Sequence, residues 1–232
     1  MSTSLRSHRR PVGRGMLGLA ASLAVIATFL VPLAINPTPA LADTSAGIGT
    51  GVECANDNWQ AETTADDAGH VYVFYSNYCS NHDFLWYQVS NDGGQTFGVA
   101  QSLCSALGAA CTLPQANTHT IGGTGYKTED DPGLFVDTSV SPPKLYVVWD
   151  ATPSFSAFSP DVVLGAVSND FGATFSMLNG GGNIAGANCG GGGAIPDCGF
   201  PQITAKGANV TVSTGSYATG ANKHNQLKII AY

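Results

Sequence analysis

Arginine is absent from most of this 232-residue chain, because all four arginines lie before residue 15. From Asp43 onward the sequence has five lysines against all 16 acidic residues, which gives this part a formal charge of −11. A surface of that sign repels the phosphate backbones of DNA and RNA. Nucleic acid is therefore excluded as an expected partner.

Charge of either sign is scarce, and so is helical periodicity. Only 11% of the residues are charged, and beyond the N-terminus no segment keeps apolar residues at the i, i+3, i+4 spacing of an amphipathic helix. The chain instead has 29 glycines and 12 prolines, a composition typical of short strands joined by many turns. An all-β domain is expected.

Several catalytic and metal-binding motifs are also missing. The sequence has no Gly-x-Ser-x-Gly elbow of a serine hydrolase, no His-x-x-x-His pair and no Cys-x-x-Cys spacing of a zinc site. The glycine-rich segment 122–128 lacks the Gly-Lys-Ser/Thr ending of a phosphate-binding loop. Motifs therefore assign no catalytic residue.

The N-terminus has the pattern of a targeting segment. The four arginines precede an apolar run from Met16 to Ile35, and Ala40-Leu41-Ala42 gives the small-x-small pattern that signal peptidases cut. Residues 1–42 are thus predicted to be a signal peptide, so that the protein is secreted and meets a membrane only during export. The alternative is an uncleaved membrane anchor, since 20 mostly apolar residues could just span a bilayer.

The most informative motif that is present occurs twice. Ser90–Phe97 (SNDGGQTF) returns 78 residues later as Ser168–Phe175 (SNDFGATF), and recurrence at a long period is typical of propellers and solenoids. The residue types suit a tight turn between strands, in which Ser and Asp bind backbone N–H groups and Gly takes a positive φ. We interpret these ten positions as structural: Ser90, Asp92, Gly94, Thr96, Phe97, Ser168, Asp170, Gly172, Thr174 and Phe175.

Three units share one order of elements around this motif. Each has a strand, a turn, a second strand, a longer loop, a third strand, then the octapeptide and a short outer strand, which predicts a four-stranded antiparallel blade. After a lead-in at 43–58, the units cover roughly residues 59–111, 129–198 and 199–232. About two and a half to three blades cannot close a ring, so we expect residues 59–232 to be part of a larger propeller. Closure by association and an open stack are the alternatives.

Six cysteines in an exported chain predict three disulfides. One pair follows each octapeptide and brackets a short loop, which favours local pairing and leaves the two most N-terminal cysteines for each other. The expected bonds are Cys104–Cys111, Cys189–Cys198 and Cys54–Cys79.

The pattern S-x-D-x-G-x-T-[FW] is similar to the Asp-box, or BNR repeat, of sialidases and related β-propellers. The resemblance covers residues 59–232 and implies a sialidase-like propeller with the Asp-boxes on the side away from the active site. It also implies a carboxylate-binding set of three arginines, a Tyr/Glu nucleophile pair and an Asp acid/base. The chain lacks the Arg-Ile-Pro motif of the first blade and has no arginine after residue 14.

Two functional hypotheses follow. The first is a non-catalytic binding or structural module that presents loops to an extracellular carbohydrate or protein ligand, with no catalytic residue in the chain. The alternative is an exo-α-sialidase-like glycoside hydrolase with most of its catalytic residues outside this sequence.

Two further sets of residues are candidates for ligand contact. Glu129, Asp130 and Asp131 form the densest acidic run and could hold Ca²⁺, the one cofactor considered; a solvated loop is the alternative, because the D-x-D-x-D-G spacing is absent. Tyr78 and Tyr126 are predicted in loops, where they could stack on a sugar. Other aromatic residues fit the core, and three further carboxylates are interpreted as turn caps: Asp66, Asp137 and Asp150.

Overall fold

The structure is a computed structural model. It describes residues 47–54, 57–79, 81–115, 117–153, 161–185, 197–217 and 226–231. The predicted signal peptide and the side chains of Cys189 and Cys198 lie outside the described residues. No helix in the described ranges has the length and hydropathy needed to cross a bilayer.

The first unit, module 1 (residues 58–102), consists of four antiparallel strands, and a parallel pairing of Asp83 with Thr128 joins them to the second unit in one eight-stranded sheet. The strands of module 1 follow one another in order and are β1 (Asn58–Ala65), β2 (Val71–Cys79), β3 (His82–Ser90) and β4 (Gln101–Ser102). Strands β2 and β3 pair along their whole length, from Val71 opposite Ser90 to Cys79 opposite His82. The first octapeptide connects β3 to β4.

An insert between the first two units was not predicted from the sequence. It begins with a short helix α1 (Leu103–Leu107) and a 3₁₀ turn (Gly108–Ala110), and continues as a small antiparallel sheet. The sheet consists of β5 (Cys111–Gln115), β6 (Thr118–Ile121) and β7 (Thr124–Tyr126). Strands of three to five residues are too short for periodicity to reveal.

Module 2 (residues 128–177) repeats the order of module 1. It consists of β8 (Thr128–Asp137), β9 (Lys144–Thr152), β10 (Val162–Ser168) and β11 (Ser176–Met177). The second octapeptide lies between β10 and β11, the place that the first holds in module 1. Module 3 contributes three antiparallel strands, β12 (Asp197–Lys206), β13 (Asn209–Tyr217) and β14 (Gln226–Ala231). The fold is thus all-β, built from tandem antiparallel meanders.

Strand β9 shows how the modules stack. Leu145, Val147 and Trp149 belong to the core shared with module 1, whereas Tyr146 and Val148 belong to the core shared with module 3. Successive strand side chains point to opposite faces of a sheet, so a continuous apolar run is buried on both sides. All five side chains are at most 3% exposed. Module 2 therefore lies face to face between its neighbours.

The first strands of the three modules, β1, β8 and β12, lie beside one another, and we call them the innermost strands. Each of them has a β-bulge near its start. The register shifts between Trp59 and Glu62, between Asp130 and Gly133, and between Gly199 and Gln202. At each bulge one non-glycine residue has a positive φ: 48° at Gln60, 47° at Asp131 and 53° at Phe200. Gln, Asp and Phe share no chemistry, so comparison of the module sequences does not reveal that each module has this bulge.

The bulges also bring the three innermost strands together. The Gln60 Oε1 atom accepts a hydrogen bond from the Asp131 backbone N–H at 3.2 Å, which joins β1 to β8. On the other side of β8, Gly133 lies so close to the Pro201 carbonyl oxygen of β12 that a Cβ atom would clash with it. Strand β8 is therefore held between β1 and β12.

Two disulfides lie within the described side chains. Cys54 is bonded to Cys79, and Cys104 is bonded to Cys111, the pairings expected for these four cysteines. The first bond ties the lead-in to the end of β2, and the second ties α1 to β5.

Candidate functional site

The modules have two chemically different ends. Octapeptides follow the last residues of β3 and β10, whereas the acidic side chains lie at the starts of β3 and β8 and near the end of β9. Asp83 and Ser90 are seven residues apart on β3, which at about 3.3 Å per residue separates the two ends by roughly 23 Å. We call them the turn end and the acidic end.

At the turn end the two octapeptides form the same hydrogen-bond network. In the first, the Ser90 hydroxyl donates to Asp92 Oδ1 at 2.7 Å and accepts from the Gly94 N–H at 2.8 Å. Thr96 donates to Asp92 through its N–H at 2.8 Å and through its hydroxyl at 2.6 Å. The second network repeats these bonds within 0.1 Å, among Ser168, Asp170, Gly172 and Thr174.

These bonds account for the octapeptide carboxylates. The hydrogen bonds from Thr96 and Ser90 lower the pKa of Asp92 to about 2. At Asp170, burial acts to raise the pKa, but hydrogen bonds from Thr174 and Ser168 outweigh it and the pKa is lowered. Gly94 and Gly172 have φ values of 86° and 85°, which other residues rarely adopt. Both carboxylates therefore stabilise a turn, and their oxygens are occupied by hydrogen bonds within it.

At the acidic end a bulge brings adjacent carboxylates together. Asp130 lies opposite Asp150 in the β8–β9 pairing, and the left-handed backbone of Asp131 interrupts the alternation of side chains just after it. As a result, one carboxylate oxygen each from Asp130, Asp131 and Asp150 lie within 4.8 Å of one another. We call these three residues the acidic cluster.

The electrostatics of this end are dominated by burial and by like charges. Burial, with the charges of Asp130 and Asp131, raises the pKa of Asp150 well above its usual value, and Asp150 is hydrogen-bonded to Asp130. Burial and Asp130 also raise the pKa of Asp131 to about 6. Two carboxyl groups can share a hydrogen bond only when one carries a proton, so this end holds protons that isolated aspartates would release.

Asp83 extends the acidic end to module 1. Its side chain is 1% exposed, and burial, with Asp130 as the largest charge contribution, raises the pKa of Asp83 to about 8. Its Oδ2 atom accepts a hydrogen bond from the Trp59 indole N–H at 2.8 Å. Asp83 is thus an acid that stays protonated at neutral pH and fixes the orientation of Trp59.

An open pocket of about 380 Å³ lies beside this pair. It is lined by Asp57, Asn58, Trp59 and Tyr78. Trp59 is 48% exposed on the largely exposed strand β1, and Tyr78 is 43% exposed on the otherwise buried strand β2, high values for large aromatic rings. The Tyr78 N–H also donates to the Asp57 carbonyl oxygen at 2.8 Å, which holds the two walls of the pocket together.

Buried polar atoms without a partner concentrate at the same end. Within the described residues such side-chain atoms are His82 Nδ1, Asp83 Oδ1, Thr128 Oγ1, Trp149 Nε1 and Asp150 Oδ1. All five belong to the start of β3, the start of β8 or the end of β9. Buried polar groups are normally paired, so their grouping marks this end as the part of the molecule that is not optimised for packing.

The structure changes several expectations from the sequence. Glu129, Asp130 and Asp131 do not form a solvated loop: all three lie on β8, and Glu129 is 1% exposed. The Glu129 carboxylate contacts His119 Nδ1 at 2.9 Å, away from the acidic cluster. His119 is itself stacked on Phe84 at 3.5 Å.

Tyr126 and Asp150 also lie elsewhere than expected. Tyr126 is 5% exposed and belongs to the core, so it is not available as a ligand contact, unlike Tyr78. Asp150 does not cap a turn but completes the acidic cluster. Asp66 and Asp137 do cap turns, through bonds from the N–H groups of residues 68 and 70 and of residues 139 and 207.

Two other groups of metal-binding residue types do not form metal sites. One contains Cys79 with Glu53 and His82, and the other contains Cys104 and Cys111 with His119. The cysteines in both are joined in disulfides, so their sulfur atoms are not thiolate ligands.

No protein-family model matches this sequence, and no curated protein is significantly similar to it. Solved structures are similar in fold. The family-117 glycoside hydrolase Zg3597 of the marine bacterium Zobellia galactanivorans is 13% identical with a TM-score of 0.51, over 76% of this chain and 52% of that one.

Two further structures show weaker similarity. The family-32 β-fructofuranosidase BmSUC1 of Bombyx mori is 15% identical with a TM-score of 0.45, over 75% of this chain and 32% of that one. A thermostable family-43 glycoside hydrolase is 15% identical with a TM-score of 0.45, over 74% and 53%. The chain thus spans about half or less of each. These neighbours are β-propeller glycoside hydrolases, and the similarity to Zg3597, at a TM-score of 0.51, shows that the chain has a propeller-like fold.

Proposed function

We propose that this protein is a secreted Asp-box β-propeller protein that binds glycans through the pocket of Trp59 and Tyr78. The observation that carries the proposal is two half-exposed rings beside a buried acid that orients one of them. Aromatic rings stack on the apolar faces of sugars, while neighbouring polar groups bind hydroxyls. Asp57 and Asn58 supply those polar groups at the pocket rim.

The charge of the acidic end supports a neutral glycan. Asp57 lines the pocket and Asp83 is bonded to Trp59 in its wall, and the sequence after residue 14 has no arginine. The carboxylate of a sialic acid is best held by arginines, and here it would meet carboxyl groups instead. The site is therefore better suited to uncharged hexose or pentose units than to a sialoside.

Calorimetric titration tests this proposal with neutral oligosaccharides and with sialyllactose as probes. Trp59→Ala is expected to abolish measurable binding of the neutral oligosaccharides, because it removes the stacking surface. Phe171→Ala is the matched control, since Phe171 is 39% exposed but lies at the turn end. Tighter binding of sialyllactose, or equal losses in both variants, would contradict the proposal.

A second candidate function is hydrolysis of a neutral glycan. It is favoured by Asp83, a carboxyl group bonded to Trp59 of the pocket wall, whose pKa of about 8 lies near the range useful to a general acid at neutral pH. Release of reducing ends that is lost in Asp83→Asn, which keeps an acceptor for the Trp59 indole, would favour this candidate, whereas binding without release would favour the binding module.

Secretion and the Asp-box assignment are parts of the same proposal. The disulfides suit an oxidising compartment, and the two octapeptide networks support the assignment to Asp-box propellers. Export from a bacterial host followed by N-terminal sequencing tests cleavage after residue 42. A product that begins at Asp43 is expected, and a membrane-bound product that retains Met16–Ile35 would contradict it.

A further inference from the structure

The acidic cluster has the composition and spacing of a cation site. Carboxylate oxygens of Asp130, Asp131 and Asp150 lie within 4.8 Å of one another. Oxygen ligands of one Ca²⁺ ion lie at about 2.3–2.6 Å from it, so two of them can stand up to roughly 5 Å apart. A single Ca²⁺ ion fits among these three oxygens without large rearrangement.

A second observation is independent of the clustering. Asp150 is 7% exposed, and its Oδ1 atom has no hydrogen-bond partner within the described residues. A buried carboxylate oxygen without a partner is costly. Asp150 lies opposite Asp130 in the β8–β9 pairing, and one of its carboxylate oxygens belongs to the group of three within 4.8 Å. The Asp150 side chain is therefore directed at the place where the ion would lie.

The backbone gives a third argument. Consecutive residues of a regular strand point to opposite faces, and Asp130 and Asp131 would then be separated by the sheet. The bulge with its positive φ at Asp131 removes that separation.

Among the described residues no lysine or histidine forms a salt bridge with Asp131, Asp150 or the nearby Asp83. We propose that Asp130, Asp131 and Asp150 bind one Ca²⁺ ion, which fixes the innermost strand of module 2 beside the pocket. The all-oxygen, carboxylate-rich set suits this hard ion. The positive charge of the ion offsets the repulsion among the three carboxylates.

The test uses the full chain after removal of metal with EDTA. Titration with CaCl₂ should show saturable calorimetric binding and a rise in the melting temperature. Asp150→Asn and Asp131→Asn should each weaken Ca²⁺ binding by about tenfold or more. Two variants are used because either one could unfold by itself. Asp67→Asn is the matched control, since Asp67 is exposed in the turn between β1 and β2, and it should bind Ca²⁺ like the unmodified protein.

Three outcomes would overturn the proposal. They are the absence of binding at millimolar Ca²⁺, unchanged binding in both cluster variants, and a loss in Asp67→Asn equal to theirs. An equal response to MgCl₂ would also contradict the assignment, because Mg²⁺ requires shorter and strictly octahedral contacts. The glycan titrations have a separate readout, so failure of either proposal leaves the other to be judged by its own data.

Discussion

Phe97 and Phe175 hold the same position in the two octapeptides but differ in their surroundings. Phe175 is 5% exposed and makes edge contacts with Phe74 and Tyr87 of module 1, at centroid distances of 5.9 and 5.5 Å. Phe97 is half-buried. The second octapeptide therefore joins two modules, a role that its sequence does not distinguish from that of the first.

This difference predicts unequal effects of one substitution. Phe175→Ala should lower the free energy of unfolding by about 3–5 kcal/mol, the usual cost of removing a buried ring. Phe97→Ala should cost less than about 1 kcal/mol, because most of its ring contacts are not buried. Urea denaturation of both variants measures the two values. Equal losses would show that the inter-module contact is not what stabilises position 175.

Asp83 should make stability depend on pH in an unusual direction. Its pKa of about 8 in the folded protein exceeds the value of about 3.9 in an unfolded chain. Between pH 4 and 8 the unfolded chain releases this proton while the folded protein keeps it, so the contribution of Asp83 to stability falls as pH rises through that window. Asp83→Asn cannot ionise and keeps an acceptor for the Trp59 N–H.

The variant should therefore be more stable than the unmodified protein at pH 8, by an amount of the order of a few kcal/mol, and the gain should shrink toward pH 4. Urea denaturation of protein freed of metal beforehand, in metal-free buffers at both pH values, measures this, because a bound cation would otherwise change the titration. A variant less stable at pH 8 with an unchanged pH slope would contradict the prediction.

Prediction from sequence is weakest at this scale. Asp66, Asp137 and Asp150 look alike in the sequence, each at the end of a strand, yet two cap turns and one is buried among other carboxyl groups. Strand register and a bulge decide which aspartates cap turns and which one is buried, and local residue preferences predict neither the register nor the bulge. For the same reason the sequence did not single out Asp83, and Trp59 was interpreted with the other aromatic residues as part of the core.

At the scale of elements, the octapeptide turns depend on their carboxylates. With a pKa of about 2 for Asp92 in the folded protein and about 3.9 in the unfolded chain, this group stabilises the fold above pH 4. Its contribution is lost as pH falls through 2, because the unfolded chain takes up the proton first. Asp170 should behave in the same direction, since its pKa is also lowered.

Asp92→Asn and Asp170→Asn remove one acceptor oxygen, so the hydroxyl of Thr96 or Thr174 loses its partner. Each variant should be less stable than the unmodified protein at pH 7, and the difference should vanish near pH 2. Asp67→Asn, in an exposed position of another turn, serves as the control. A difference that stays constant from pH 7 to pH 2 would rule out the charged hydrogen bonds as its cause.

The strands and turns could be predicted where the same sequence motif occurs more than once. The octapeptides and the strands before them carry that repeat, so the four-stranded meanders and their connections follow from it. The bulges repeat in backbone conformation alone, with a different residue each time. The insert repeats nothing and has strands too short to show a period, which is why it was missed.

At the scale of the whole molecule, contact between modules requires glycine at position 133. A Cβ atom there would clash with the Pro201 carbonyl oxygen, which is fixed backbone. Gly133→Ala should therefore destabilise the protein by about 1–3 kcal/mol and speed hydrogen exchange in β12. Gly98→Ala is the matched control, because its nearest atom would stand at 3.5 Å, and it should change stability by no more than about 0.5 kcal/mol.

The stacking order of modules was partly foreseeable. Apolar runs such as that of β9 indicate burial on both faces, and tandem units with such strands pack on each other. The identity of the facing surfaces and the place where three innermost strands meet depend on bulges and close backbone approaches. These are tertiary features, so the pocket and the acidic cluster could be recognised only from the assembled fold.

The Cys54–Cys79 bond has a consequence for when the pocket is fully assembled. Cys54 is followed within five residues by three that line the pocket, and Cys79 directly follows the fourth, Tyr78. The disulfide thus holds the opposing walls of the pocket in position, and it can form only where thiols are oxidised. Under the proposed secretion and glycan binding, the pocket would stay loosely assembled until the chain reaches an oxidising compartment, so its assembly would follow translocation.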